Sequence, residues 1–276
     1  MLVTSGEMLQ DALINRYAIP SPDFVDSNSA KAFVRTAQEL GCPLILSFAE
    51  VHLQQMSVKE AANMGKFYAN QVQVPVALHL DHGVHMDVIK EAIAEGFTSV
   101  MIDASACDLA ENIRLTRDVT EYAHAHQVFV EAELGHVGSE DETGPHALSG
   151  NIYTEVEAAV LFVRETAVDS LAVSIGTSHG KYKGTPKLNF ERLQELHSAL
   201  AIPLVLHGGS GTGDENLEKC ALNGITKVNL YTDFITAALH KVYAEHPDNW
   251  LKLLGAGDTA MQDVLRHYYK VLRCAH

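Results

Sequence analysis

Eight short apolar runs, each ended by a turn-forming or polar residue and each followed by an amphipathic stretch, constrain the fold of this chain more than any other feature. They lie near Tyr17 to Pro20, Pro43 to Phe48, Pro75 to Leu80, Ser99 to Asp103, Val128 to Leu134, Ser170 to Ile175, Pro203 to His207 and Lys227 to Leu230. Runs such as Leu171-Ala172-Val173 and Leu204-Val205-Leu206 lack the alternation of a half-exposed strand and read as strands covered on both faces. Between them, Asp108 with Glu111 and Thr154 with Glu157 fit capping boxes, the second leading into the stripe Val156, Val160 and Val163. Pro203 follows the helix around Glu191 to Leu200, where a strand can begin but a helix interior cannot continue. Eight strand–helix units predict an α/β fold closed into a parallel barrel, because closure gives every strand two neighbours and covers both faces. The chain has 276 residues and 47% hydrophobic content, enough for one large core, and is expected to form a single domain over residues 1–276.

A parallel barrel gathers the C-terminal ends of its strands on one rim, and there this chain repeats a histidine beside a glycine. His82-Gly83, His179-Gly180 and His207-Gly208 each follow an apolar run. Three neutral imidazoles from separate strand ends match the protein ligand set of a catalytic zinc site, which keeps one position open. The chain has fifteen histidines, so position rather than number selects these three; His79 lies inside its strand, and His124, His126 and His197 sit on or near helices. Asp81 is adjacent to His82 and should leave the strand in a different direction. It either exchanges a proton with a metal-bound substrate or serves as a charge that orients a ligand histidine or caps the next helix. Glu131 and Glu133 share one face of the fifth strand, where either can orient a histidine, bind the metal in its place or serve structure alone.

After the seventh and eighth strands, Gly208-Gly209-Ser210-Gly211 and Asn229-Leu230-Tyr231-Thr232-Asp233 offer backbone N–H groups and two hydroxyls, the kind of anion cradle that barrels build between their last two βα loops. Gly180 and Lys181 add to it, and phosphate is the natural occupant. The remaining partners are narrowed by charge: 35 acidic against 20 basic residues give a net charge of −15, which repels nucleic acid and anionic membranes. No apolar run approaches the roughly 20 residues that cross a bilayer. Cys42, Cys107, Cys220 and Cys274 lack CxxC spacing and read as reduced thiols, in keeping with a cytoplasmic location. The stretch from Gly135 to Tyr153 is the longest connection without an apolar period and reads as a functional loop.

Taken in order, Leu78-His79-Leu80-Asp81-His82, Val130-Glu131-Ala132-Glu133-Leu134-Gly135, the run Asp169 to Gly180 and the run Pro203 to Gly211 resemble the class II, metal-dependent ketose-bisphosphate aldolases, in their fructose- and tagatose-bisphosphate branch. The likeness extends from Tyr17-Ala18-Ile19-Pro20 through Lys227-Val228-Asn229-Leu230 and is strongest from Pro75 onward. It implies a TIM (β/α)8 barrel, Zn2+ bound by His82, His179 and His207, and Asp81 as the acid or base at the cleaved hydroxyl. It implies dihydroxyacetone phosphate as the ketose-derived half, its phosphate held by Gly180, Gly208, Ser210 and the segment from Asn229 to Thr232. A homodimer or homotetramer and a monovalent cation, Na+ or K+, near the phosphate are further implications. The implied reaction removes a carbon-bound proton with a loop carboxylate, adds the resulting enediolate to an aldehyde and protonates the new alkoxide from Asp81; cleavage runs in reverse.

The chain departs from the family pattern on the substrate rim. In Gly138-Ser139-Glu140-Asp141-Glu142, Asp141 falls where the family's catalytic glutamate is expected, and a small shift substitutes Glu140 or Glu142. Ser21-Pro22-Asp23 replaces Ala-Phe-Asn, Asp26 replaces a later Asn, and the second strand ends Ser47-Phe48-Ala49-Glu50-Val51-His52 where a small Ser, Thr or Gly loop is usual. Asp23, Asp26 and Glu50 raise the electrostatic cost of a second phosphate. Arg266, Lys270 and Arg273 in the tail read as packing and solvent face rather than as its counter-charge. The expectation is an aldolase with a dihydroxyacetone phosphate donor and an acceptor lacking the usual terminal phosphate. Alternatives are a metal-assisted epimerase or hydrolase using the same histidines, and a catalytically weak structural or regulatory aldolase-like subunit.

Overall fold

The computed structural model describes residues 1–135, 153–178, 180, 184 and 186–275. After helix α1 (Ser5–Asn15), eight strands alternate with helices: β1 (Ile19–Pro22), α2 (Ser27–Leu40), β2 (Leu44–Ala49), α3 (Val58–Ala69), β3 (Val76–Gly83), α4 (Met86–Glu95), β4 (Ser99–Ile102) and α5 (Leu109–Ala125). Then come β5 (Phe129–Leu134), α6 (Val156–Thr166), β6 (Ser170–Val173), α7 (Phe190–Ala199), β7 (Leu204–Leu206), α8 (Asp214–Leu222), β8 (Ile225–Leu230), α9 (Thr232–Glu245) and α10 (Trp250–Val271). The strands pair in parallel in the order β1-β8-β7-β6-β5-β4-β3-β2. This is the TIM barrel expected from the strand spacing. Among the described residues, no helix is long and apolar enough to cross a membrane, and all four cysteines are free thiols.

The seam between β1 and β2 has a chemical cause. Asp23 N–H donates to Leu230 of β8, so by alternation residues 20, 22 and 24 face β2. Two of these are Pro20 and Pro22, which have no N–H to give. The first donor available on that side is Phe24, whose N–H reaches the Ser47 carbonyl at 2.9 Å, and the barrel closes there through a single Asp23–Ser47 bridge. Strand β1 also starts later than the sequence pattern indicated. Tyr17 N–H is taken by the Ala12 carbonyl at the end of α1, and Ala18 N–H by Leu272 after α10.

Alternate strand residues enter different environments. The outward set, including Leu44, Leu46, Leu78, Leu80, Leu171 and Leu204, packs with the helices into one large buried core. Approach is close: a Cβ on Gly65 of α3 would lie 2.5 Å from Leu78 Cδ1. At the barrel bottom, Met8, Leu9 and Ala12 of α1 pack on the inward residues Ile19, Ile45 and Ala77, forming an apolar plug. Above it the interior turns polar, with Ser21, Ser47, His79, Ser99, Glu131, Ser170 and Lys227 all buried.

One of the two expected helix caps differs. Asp108 caps α5, accepting from Glu111 N–H at 2.9 Å, but the N-cap of α6 is Glu155 and makes no side-chain cap bond. Thr154 instead donates its hydroxyl to the Leu134 carbonyl and accepts Ser174 N–H at 2.8 Å. Its oxygen satisfies buried backbone groups at two strand ends, which compete for it more strongly than an exposed helix terminus.

Candidate active site

The β3–β4 ladder is regular up to Leu80–Val100 and resumes at Gly83–Ile102, so Asp81 and His82 together face one residue of β4. His82 sits in the left-handed region at φ 46°, a conformation uncommon outside glycine and enriched at functional sites. This bulge overrides the simple alternation rule. Asp81 and His82 do not diverge: Asp81 Oδ2 lies 3.8 Å from His82 Nε2, and Asp81, His82 and His207 offer ligand atoms all within 4.8 Å of one another.

The protonation of both imidazoles follows from their partners. His82 Nδ1 bonds Asp103 Oδ2 at 2.8 Å, and His207 Nε2 bonds Glu131 Oε1 at 2.9 Å. A carboxylate draws the N–H to that side, so the other ring nitrogens are the ones turned toward the site. Those two, His82 Nε2 and His207 Nδ1, face one another at 3.0 Å. At that distance the two nitrogens share a proton, which a metal ion bound there would displace. Burial pulls the His82 imidazole down, but Asp81, Asp103 and Glu133 outweigh it and raise its pKa to about 10, which marks a spot where positive charge is favoured. Neutral imidazole nitrogens with nearby carboxylates fit zinc. His179, the third expected ligand, lies outside the described residues, as do Lys181, Glu140 and Asp141.

Beneath this pair runs a buried ion network. Lys227 Nζ donates to Glu131 Oε2 at 2.7 Å and Oε1 at 2.9 Å, and to His79 Nε2 at 3.1 Å. His79 therefore donates its Nδ1–H to Ser99 Oγ, 2.7 Å away. Burial first, and then the neighbouring Lys227 charge, hold the His79 imidazole well below its usual pKa, as a neutral ring. Glu131 thus orients His207, and Lys227 holds Glu131 in place. Asp103 and Lys227 were not legible as site residues, although an acid at a strand end and a lone lysine among Val and Ile in β8 are signals that a search could use.

Asp81 is gripped by Asn229, whose Nδ2 donates to its Oδ1 at 2.6 Å. Burial pushes the Asp81 carboxyl up, but His82, His207, Lys227 and the Asn229 bond prevail and keep it ionised. Asp23, across the same floor, moves the opposite way: burial and then the Asp81 charge raise it well above the usual carboxylate range. Two carboxyl groups with opposed protonation states are available for acid and base work.

A cavity of about 690 Å3 opens over this floor, lined by Asp23, Asp81, His82, Gly180, Gly208, Ser210, Asn229, Tyr231 and Thr232 among others. Its β7–β8 side is where the sequence predicts an anion cradle. Gly208 has φ +65°, and a Cβ there would lie 2.4 Å from the Ser178 carbonyl. Ser210 Oγ accepts Tyr231 and Asp233 N–H at 3.2 and 3.3 Å, fixing the N-terminus of α9 beside the cavity. Gly209 and Gly211 take a different part from the one the sequence indicated. Gly209 N–H is bound to the Asn229 carbonyl and Gly211 N–H to Asp233, so both shape the loop and neither donates into the cavity.

The opposite wall comes from β1, β2 and the loop after β3. Glu50 faces that loop, accepting Val84 N–H at 2.7 Å and His85 N–H at 3.2 Å and pairing with His85 Nδ1. The bond and charge of Glu50 raise the exposed His85 imidazole. His52 packs against Tyr231 with 5.0 Å between ring centroids and the planes tilted by 43°, and burial lowers its pKa.

Comparisons with known proteins bear on the family and the fold. The family described as fructose-bisphosphate aldolase class-II matches residues 3–276. The fructose-bisphosphate aldolase of Geobacillus stearothermophilus is 38% identical over 269 residues, covering 95% of this chain and 93% of that protein. The crystal structure of the YdjI aldolase of Escherichia coli superposes with a TM-score of 0.91 at 33% identity, covering 100% of this chain and 98% of that one. A fructose-bisphosphate aldolase structure from Campylobacter jejuni, at 24% identity and TM-score 0.84 over 99% and 96% of the two chains, shares the fold. With a barrel rim that gathers imidazoles and carboxylates, and with a family match along nearly its whole length, the chain belongs to the class II fructose-bisphosphate aldolases, which are metal-dependent carbon–carbon lyases.

Proposed function

We propose that this aldolase makes or cleaves a ketose phosphate through the enediolate of dihydroxyacetone phosphate, joined to an acceptor aldehyde that lacks the usual terminal phosphate. The observation that carries the reading is the facing of His82 Nε2 and His207 Nδ1 at 3.0 Å beside an ionised Asp81. His82, His179 and His207 are the residues that would hold Zn2+, and the bound ion supplies a Lewis acid that polarises a substrate carbonyl.

The protein's own groups do the rest. Asp103 and Glu131 fix which ring nitrogens of His82 and His207 face the site. Asp81, steadied by Asn229, takes the hydroxyl proton as the carbon–carbon bond breaks and returns it to the alkoxide in synthesis. Gly180, Gly208, Ser210, Asn229 and Thr232 border the cavity where the donor phosphate would sit, with α9 directing its N-terminus there. Asp141, or Glu140, takes the carbon-bound proton. The relatives' names support a phosphorylated sugar substrate, and their common chemistry supports the donor assignment.

Incubating zinc-loaded protein with dihydroxyacetone phosphate in deuterated water tests this without requiring the correct aldehyde. Exchange of the carbon-bound proton, abolished by a chelator, is the expected result. No exchange, despite tight phosphate binding and bound metal, would overturn the reading.

A further inference from the structure

Asp23 and His52 line the cavity from neighbouring segments, Asp23 at the β1–β2 bridge and His52 just beyond β2. Asp23 is 6% exposed, and its Oδ1 is a buried atom with no hydrogen-bond partner among the described residues; His52 Nδ1 is another. Buried polar atoms are costly to leave unpaired, so two of them bordering one cavity indicate that a bound molecule supplies the partners. No lysine or arginine is present among the described residues that line the cavity, whereas Asp23, Glu50, Asp81, Asp103 and Glu133 all do. His85, the histidine on this wall raised toward a cation, is paired with Glu50.

Resting on the aldolase reading above, we propose that Asp23 and His52 bind the far end of the acceptor and select an uncharged, polyhydroxylated aldehyde over a phosphorylated one. A hydroxyl group both donates and accepts, so it satisfies Asp23 whether or not the carboxyl holds a proton, and it satisfies His52 in either tautomer. A phosphate dianion brings only acceptors and two negative charges to a wall already rich in carboxylates. The glutamate at position 50 supports the same selection indirectly: by binding Val84 and His85 N–H it removes two backbone donors that an anion could use.

The test couples dihydroxyacetone phosphate to glyceraldehyde, to a four-carbon aldose and to glyceraldehyde 3-phosphate, reading kcat/KM for each. The wild-type enzyme is expected to favour the uncharged aldehydes by about tenfold or more, in line with what a site built to bond hydroxyls achieves. Asp23→Asn replaces the carboxyl group, which can carry a charge, with an amide that cannot, with little change of shape, and should shift the phosphorylated-to-uncharged ratio at least about tenfold toward the phosphorylated aldehyde. His52→Phe keeps the ring and should lower kcat/KM for the uncharged aldehydes more than for glyceraldehyde 3-phosphate. Taking the ratio within each variant cancels effects on the donor half. A wild-type preference for glyceraldehyde 3-phosphate, or a ratio unmoved by both substitutions, overturns this proposal alone. Failure of the wild-type enzyme to exchange the donor proton overturns the donor assignment and this proposal with it, so the two failures are distinguishable.

Discussion

The outward and inward faces of the barrel sheet use the same strands and opposite chemistry. Outward, Leu46, Leu78 and Leu204 meet helices and gain stability from burial, each worth about 1.5–3 kcal/mol against exposure. Inward, above the α1 plug, Lys227, Glu131, His79 and His207 are equally buried but are held by specific bonds. There the desolvation of charge is offset only if every partner is present, so the inner face contributes specificity of geometry more than stability. The difference teaches where this protein can tolerate change: the outer face asks for volume, the inner face for particular atoms.

That contrast can be broken or sharpened by substitution. The largest effect is expected for Asp81→Ala, which should lower kcat for carbon–carbon cleavage by about 10²–10⁴-fold while leaving donor proton exchange less affected. Its unfolding midpoint should fall less than that of Leu78→Ala, because the lost acceptor of Asn229 is partly offset by relief of a buried charge; a loss as large as that of Leu78→Ala would show that the inner face is structural after all. Lys227→Met strands Glu131 as an uncompensated buried carboxylate and should cost about 3–5 kcal/mol in urea unfolding. Adding Glu131→Gln to it should recover most of that stability but leave metal affinity about 10–100-fold weaker, read from cobalt(II) absorption. Leu78→Ala on the outer face should cost about 2–5 kcal/mol, with metal affinity unchanged. The smallest effect belongs to Ser57→Ala, which deletes a capping box on α3 and should cost about 1 kcal/mol with kcat and metal affinity intact.

The same contrast explains how far the sequence could be read. Outward residues announce themselves as apolar runs, and these located all eight strands, with β1 displaced because its first residues serve α1 and the tail. That His82 and His207 come together was legible because each stands beside a glycine at a strand end. Lys227 was not, since its partner Glu131 lies 96 residues away and a lone lysine in a strand reads as a solvent-facing charge. The convergence of Asp81 and His82 was hidden for a different reason: alternation separates neighbours, and only the bulge and the left-handed backbone at His82 bring them together. Thr154 carried a true signal for hydrogen bonding, but strand ends claimed it before the helix did.

Thr154 has one more consequence. It locks the exit of β5 and the entry to α6 against β6, with its own N–H on the Ser174 carbonyl at 2.9 Å and its hydroxyl on Leu134 and Ser174. The two anchor points of residues 136–152 are therefore tied together independently of what lies between them. Since the free energy of closing a loop changes only slowly with length once its ends are fixed, the spacing of these two ends is set by the barrel and not by the number of residues that join them.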